Sequence, residues 1–230
     1  MLDLFPALLT TINSFFQSRR AAALEDDTLL SHVSQRFFDE GVAQVFHELI
    51  ERTFKTRRWV DKTPTPDMIY GAPYLRRIWP NARFIFMKRR AYENVESRMR
   101  KFPDITFERT CEGWAHAMEA WSVVRDELHG CAIEIDQQVI ASSPDRVAWE
   151  LTKFLSAGHE ARNRMAQILR SERPERTSLR AQHTIDPATD MSALFDPEIF
   201  EKYCGRWLNP YGYSRDTSYF QSGNTGITVL

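Results

Sequence analysis

Two short segments concentrate side chains that can hold an anion. Asp61-Lys62-Thr63-Pro64 follows the run Arg58-Trp59-Val60. Lys88-Arg89-Arg90 follows Arg83-Phe84-Ile85-Phe86-Met87, and Ser97 lies eight residues beyond Arg89. In open parallel sheets, ligands settle at the carboxyl ends of strands. If both runs are strands, Lys62, Lys88, Arg89 and Arg90 converge on one crevice. Such a crevice suits a phosphorylated ligand, because hydrogen bonds from a guanidinium to a phosphate are directional and contribute about 1.5–3 kcal/mol each. Helices starting near residues 65 and 91 would add the partial positive charge of their N-termini. Taken alone, Arg89 and Ser97 fit equally well a solvated strand end and an ordinary helix serine.

The elements that must position these residues follow from periodicity. Leu4, Leu8, Ile12 and Phe15 or Phe16 recur at helical spacing over residues 4–18. A second helix is expected over about 28–55, with Val33, Phe37, Phe38, Val42, Val45, Phe46, Leu49 and Ile50 as its apolar stripe. Residues 58–62 read as a short strand stopped by Thr63-Pro64-Thr65-Pro66, after which Thr65 and Asp67 can cap a helix to about Ile78. Arg83–Lys88 is apolar and followed at once by charge, as a buried parallel strand would be. Helices are expected over 92–101 and 106–128, with Phe107, Cys111, Trp114, Met118 and Trp121 along one side of the second. Cys131–Ile135 reads as another strand, and Ser142 or Ser143 with Pro144 as the start of a helix over 144–156. Residues 157–190 are Arg-rich and read as less regular, 196–207 as a last amphipathic helix, and 213–230 as a polar C-terminal tail. Strands alternating with helices predict an α/β fold: three layers, a short parallel sheet flanked by helices, in one domain over 1–212.

The 230 residues are 43% hydrophobic and 27% charged, enough for a sizeable core. The net charge of −1 argues against a nucleic-acid partner, which needs a basic excess to displace counterions. Cys111, Cys131 and Cys204 are few, odd in number and widely spaced, which points away from a disulfide framework or a metal site and towards a reducing, cytoplasmic setting. No stretch reads as a transmembrane segment, and Met1–Pro6 has neither the basic nor the apolar region of a signal peptide.

Arg89-Arg90-Ala91-Tyr92-Glu93-Asn94-Val95-Glu96-Ser97 resembles the segment R-N/D-P-x-D/R-x-x-x-S that follows a strand in sulfotransferases dependent on 3′-phosphoadenosine 5′-phosphosulfate (PAPS); Ala91 stands where that segment has Pro. Three further stretches fall in the same order. Trp59-Val60-Asp61-Lys62-Thr63-Pro64 is similar to W-x-D/E-K-T/S-P. Gly113-Trp114 with Trp121 is similar to a G-x-W…W helix one residue longer, and Ile133-Glu134-Ile135-Asp136 with Pro144 and Phe154-Leu155 to Y-E-D-L…P…F-L-G. The likeness covers about residues 55–158, with an echo at Trp207–Tyr213. The family's P-K-S-G-T-T or R-S-G-T-T loop, which cradles the 5′-phosphosulfate, has no counterpart; there is no Gly before Gly41. The expectation is therefore a P-loop-like fold shortened at its N-terminus.

The resemblance implies PAPS as cofactor, no metal, and sulfuryl transfer to a hydroxyl or amine on a small molecule, glycan or peptide. Arg89 and Ser97 would hold the 3′-phosphate. Lys62 would stabilise the bridging oxygen and the sulfuryl group. Asp61 would act as general base or orient Lys62, with His47 and His116 as other candidate bases. Arg176, in Arg173-Pro174-Glu175-Arg176-Thr177-Ser178, would join a basic loop over the 3′-phosphate, though this loop departs from the family's R-K-G. Trp114 and Trp121, two helical turns apart, read as core. A non-catalytic member of the same fold that binds nucleotide or serves in protein interactions is the alternative from another class. A P-loop kinase is a third, against which the chain's lack of GxxxxGK followed by Ser or Thr counts.

Overall fold

The structure is a computed structural model; it describes residues 4–19, 34–54, 58–62, 65–171, 195–216 and 218–230. Its chain forms two compact units, Met1–Ala82 and Arg83–Leu230.

In the first unit, α1 (Leu4–Arg19), α2 (Gln35–Thr53) and α3 (Pro66–Ile78) pack together. Local chemistry sets the helix starts. Ser34 Oγ accepts from the Phe37 amide at 3.2 Å, and Thr65 Oγ1 from the Met68 amide at 3.4 Å with Pro66 beginning the helix. Phe46, Ile50, Met68 and Ile78 form the core, with Val42, Trp59 and Trp79 packed on it. The apolar stripe expected on α2 is therefore narrower: positions 42, 46 and 50, one turn apart, face inward, whereas Phe37 and Val45 are exposed. Val33 lies outside the described residues. Residues 58–62 are irregular rather than a strand. Trp59 is held by ring contacts, stacked on Phe54 and edge-on to Trp79, and not by a β ladder.

The second unit is a three-layer α/β arrangement. Its strands β1 (Phe84–Lys88) and β2 (Ala132–Asp136) are parallel and in register, Phe84 beside Ala132 and Lys88 beside Asp136. Between them run α4 (Ala91–Lys101) and α5 (Phe107–Val124). After β2 come α6 (Gln137–Ser142), α7 (Pro144–Phe154) and α8 (His159–Ser171). Alternation along the strands sorts the layers. Ile133 and Ile135 of β2 pack on Val139, Ile140, Val147, Leu151, Phe154 and Leu169. Phe86 and Glu134 point the other way, to α5, where the Phe86 ring stacks on Trp121 with centroids 4.4 Å apart.

Three expectations change here. Residues 159–171, expected to be irregular, form α8, which turns Met165, Ala166 and Leu169 inward beneath an Arg-rich outer face. Ser143 sits at the start of α7 without making a capping bond, so Pro144 alone marks that start. Residues 213–230, expected as a polar tail, are built into the unit. After the short helix α9 (Pro197–Phe200), a π-helical turn and a final helical segment lead through Tyr211, and the chain returns as β3 (Ile227–Val229), antiparallel to β2. Tyr213 is fully buried. Gly226 makes the last turn possible: its φ is +70°, and an added Cβ would lie 2.3 Å from Val139 Cγ2. Among the described residues, no helix is long and apolar enough to cross a membrane.

Candidate functional site

The three consecutive cations after β1 meet three different fates. Lys88 is buried, with its ammonium 2.8 Å from Glu134 Oε2. Glu134 also accepts from Trp121 Nε1 at 2.9 Å, and Arg125 approaches it at 3.5 Å. Arg90 is nearly as buried. Its Nε faces Glu93 at 3.0 and 3.1 Å, and its other arm donates to the carbonyls of Ser218 at 2.7 Å, Asp216 at 3.2 Å and Ser214 at 3.5 Å. Hydrogen bonding to Glu93 is the main reason its guanidinium binds its proton more tightly than usual. Neither Lys88 nor Arg90 is available to a ligand, so the expected crevice of four cations is not formed. A buried ammonium or guanidinium must be paired, and both have found partners within the fold.

Arg89 differs. It is half-buried, and among the described residues its guanidinium makes no hydrogen bond or ion pair. It stands directly before α4, whose cap position is filled by Arg90. An arginine has no acceptor to offer there, and its side chain makes no capping bond to the first turn of the helix. An unpaired guanidinium next to an uncapped helix start is a place for an anion. Ser97, also half-buried, lies on α4 two turns along, about 10 Å up the axis.

Behind this helix start lies a polar network that the sequence did not reveal. Asp136, fully buried at the end of β2, accepts from the Gln138 amide at 2.7 Å and caps α6. Its other oxygen accepts from Tyr213 at 2.6 Å and from Tyr219 at 3.4 Å. The Tyr219 oxygen in turn accepts from the Arg90 amide at 2.9 Å. The loop carrying Tyr219 is braced by Asp216, whose carboxyl is held down at about 2 by hydrogen bonds from Ser214 and Ser218. Of this network, Arg90 and Asp136 fall in stretches that the sequence singled out, and Tyr213 ends the echo at Trp207–Tyr213. Tyr213 and Tyr219 lie in the segment expected to be a tail.

Burial raises the Asp136 carboxyl above its ordinary value of 3.8, partly offset by the bonds from Tyr213 and the Gln138 amide. A raised carboxyl keeps its proton in the folded state where the unfolded chain has lost it. Its stabilising contribution is therefore complete below 3.8 and is lost as pH rises through the folded value. Asp136→Asn preserves the acceptor that caps α6 and carries no charge. The melting temperature of the variant relative to wild type should rise between about pH 4 and pH 7. A difference that stays constant over that range in thermal melts would contradict this.

Asp61 and Lys62 are both exposed and belong to the first unit, in the irregular stretch after Trp59. His47 is half-buried on α2 and stacks on Trp79, with ring centroids 6.1 Å apart; His116 is exposed on α5. Trp114 and Trp121 are core residues as expected, but each also spends its indole N–H on a named partner, Arg89 O at 3.0 Å and Glu134 respectively. Arg176 lies outside the described residues.

The chain matches the family model described as "Sulfotransferase family" over residues 7–161, well over half its length and through both β1 and β2. No curated protein and no solved structure matches it. The matched span takes in Lys62, Arg89 and Ser97 and both parallel strands, β1 ending at Lys88 just before Arg89, and on that match the chain belongs to the sulfotransferase family.

Proposed function

We propose that this protein binds PAPS through Arg89 and Ser97 and passes its sulfuryl group to a hydroxyl or amine acceptor. The observation that carries this reading is the Arg89 guanidinium, without a partner among the described residues, beside a start of α4 that its own cap residue leaves uncapped, in a chain of the sulfotransferase family. These groups fit the 3′-phosphate end of PAPS: a dianion can take charge-assisted bonds from the guanidinium and the first-turn N–H groups. PAPS supplies the activated sulfuryl group. The part of this chain is to orient the nucleotide at Arg89 and Ser97 and to offset developing charge with the Lys62 ammonium, which is catalysis by positioning and electrostatics. Asp61, beside Lys62, either takes the acceptor's proton or orients that lysine. Arg176 is proposed as a further contact to the 3′-phosphate. The acceptor is a small molecule, or a hydroxyl on a glycan or peptide. Three free, buried cysteines favour a reducing, cytoplasmic setting.

A second reading, nucleotide binding without transfer, is favoured by one observation: residues 1–230 hold no phosphosulfate loop sequence. One assay separates the two. The chain is incubated with sulfur-labelled PAPS and a panel containing a phenol, an aliphatic alcohol and an amine. Transfer to at least one of them is expected, with Lys62→Ala lowering kcat by about 10²-fold. Label that stays on a demonstrably bound nucleotide with every acceptor would support the second reading instead.

A further inference from the structure

The peptide group joining Arg89 to Arg90 is held at both of its polar ends by side chains from distant parts of the chain. Trp114 Nε1, on α5, donates to its carbonyl oxygen at 3.0 Å. The hydroxyl oxygen of Tyr219, from the C-terminal segment, accepts from its N–H at 2.9 Å. These atoms lie on opposite sides of one planar unit, so fixing both stops the unit from turning about its flanking Cα atoms. That rotation is what would swing the Arg89 side chain and tilt the first turn of α4. Arg90 is set at φ −57° and ψ 145°, the extended form from which a helix can start.

The second clamp is itself secured. The Arg90 guanidinium gathers the carbonyls of Ser214, Asp216 and Ser218 and lies 4.8 Å from the Tyr219 ring centroid, which keeps the loop against the helix start. Burial and the neighbouring Asp136 carboxyl push the Tyr219 hydroxyl up, so it keeps its proton. It donates that proton towards Asp136 while accepting from Arg90. The side chain of Arg89 has no such support among the described residues. Its backbone is fixed and its guanidinium is left free, as an anion site requires.

We infer that Trp114 and Tyr219 are positioning residues which aim Arg89 and the start of α4 at a phosphate by clamping the Arg89–Arg90 peptide. This rests on the reading of Arg89 as the 3′-phosphate ligand. The test is a double-mutant cycle read by calorimetry with adenosine 3′,5′-bisphosphate on the full chain: wild type, Tyr219→Phe, Arg89→Ala and the double variant, with a thermal melt of each. Tyr219→Phe keeps the ring and removes the acceptor. It should weaken binding about three- to tenfold, the effect of one hydrogen bond. In the Arg89→Ala background the same change should have a much smaller effect, because only the aim of the α4 start is then left to lose. A role limited to general stability would instead weaken binding equally in both backgrounds, and that result would overturn the inference. So would wild-type affinity for Tyr219→Phe while Arg89→Ala binds weakly. Wild-type affinity for Arg89→Ala would remove the phosphate site itself, and the clamp with it. If Tyr219→Phe melts below the assay temperature, Trp114→Phe carries the same cycle from the carbonyl end, with the same two outcomes.

Discussion

Glu134→Ala is expected to destabilise the protein by about 3–5 kcal/mol, because it takes from the buried Lys88 ammonium the carboxylate it is directly paired with. Both side chains are at most 3% exposed, and their 2.8 Å contact sits on the α5 side of the sheet. The carboxylate also satisfies the Trp121 N–H, which would be left without its acceptor. Among the described residues, Lys88 would keep the faces of Tyr211 and Tyr213, whose ring centroids lie 5.5 and 6.0 Å away, and a weaker attraction to the Asp136 carboxyl. Such ring contacts contribute about 2 kcal/mol when desolvated and do not replace a directly paired carboxylate. In a thermal melt the loss should appear as a fall of roughly 6–20 °C. The paired change Lys88→Met with Glu134→Gln removes both charges and keeps an acceptor for Trp121, and should cost less than Glu134→Ala alone. A single variant as stable as wild type, or a paired variant worse than the single one, would show that the ion pair is not what orders this face of the sheet.

Arg89→Ala should weaken binding of adenosine 3′,5′-bisphosphate by roughly 10- to 150-fold, the equivalent of about 1.5–3 kcal/mol for a lost charge-assisted contact. Its melting temperature should stay near that of wild type. The side chain supports nothing else among the described residues, and the backbone carbonyl that Trp114 grips is unchanged by the substitution. This combination of a large effect on binding and a small one on stability separates Arg89 from its neighbours. Lys88 and Arg90 carry the same charge but are built into the fold, so their removal should lower stability first.

The sequence made much of the frame of both units legible because these parts carry local signals. β1 and β2 are short apolar runs ended by charge or polarity, α3 has its Thr65-Pro66 start, and α5 shows a stripe of Cys111, Trp114, Met118 and Trp121. The features that escaped are those decided by distant partners. Residues 58–62 have strand-like composition but pair with no strand among the described residues; Trp59 packs by its ring instead. β3 is three residues long and gains its structure from pairing with β2. Of the three adjacent cations, nothing local distinguishes Arg89. Lys88 is committed by Glu134, 46 residues away, and the Arg90 amide by Tyr219, 129 residues away. Likewise the spacing of Trp114 announced a core residue but not the hydrogen bond that its indole makes to Arg89.

On the proposed reading, the start of α4 with Arg89 is a phosphate site for the 3′ end of a nucleotide. The measurement that addresses it most directly is calorimetric binding of adenosine 3′,5′-bisphosphate against adenosine 5′-monophosphate, for wild type and Arg89→Ala. Wild type should prefer the bisphosphate by at least about tenfold, and Arg89→Ala should lose most of that preference. Equal affinity of wild type for the two nucleotides, or an undiminished preference in Arg89→Ala, would contradict the account.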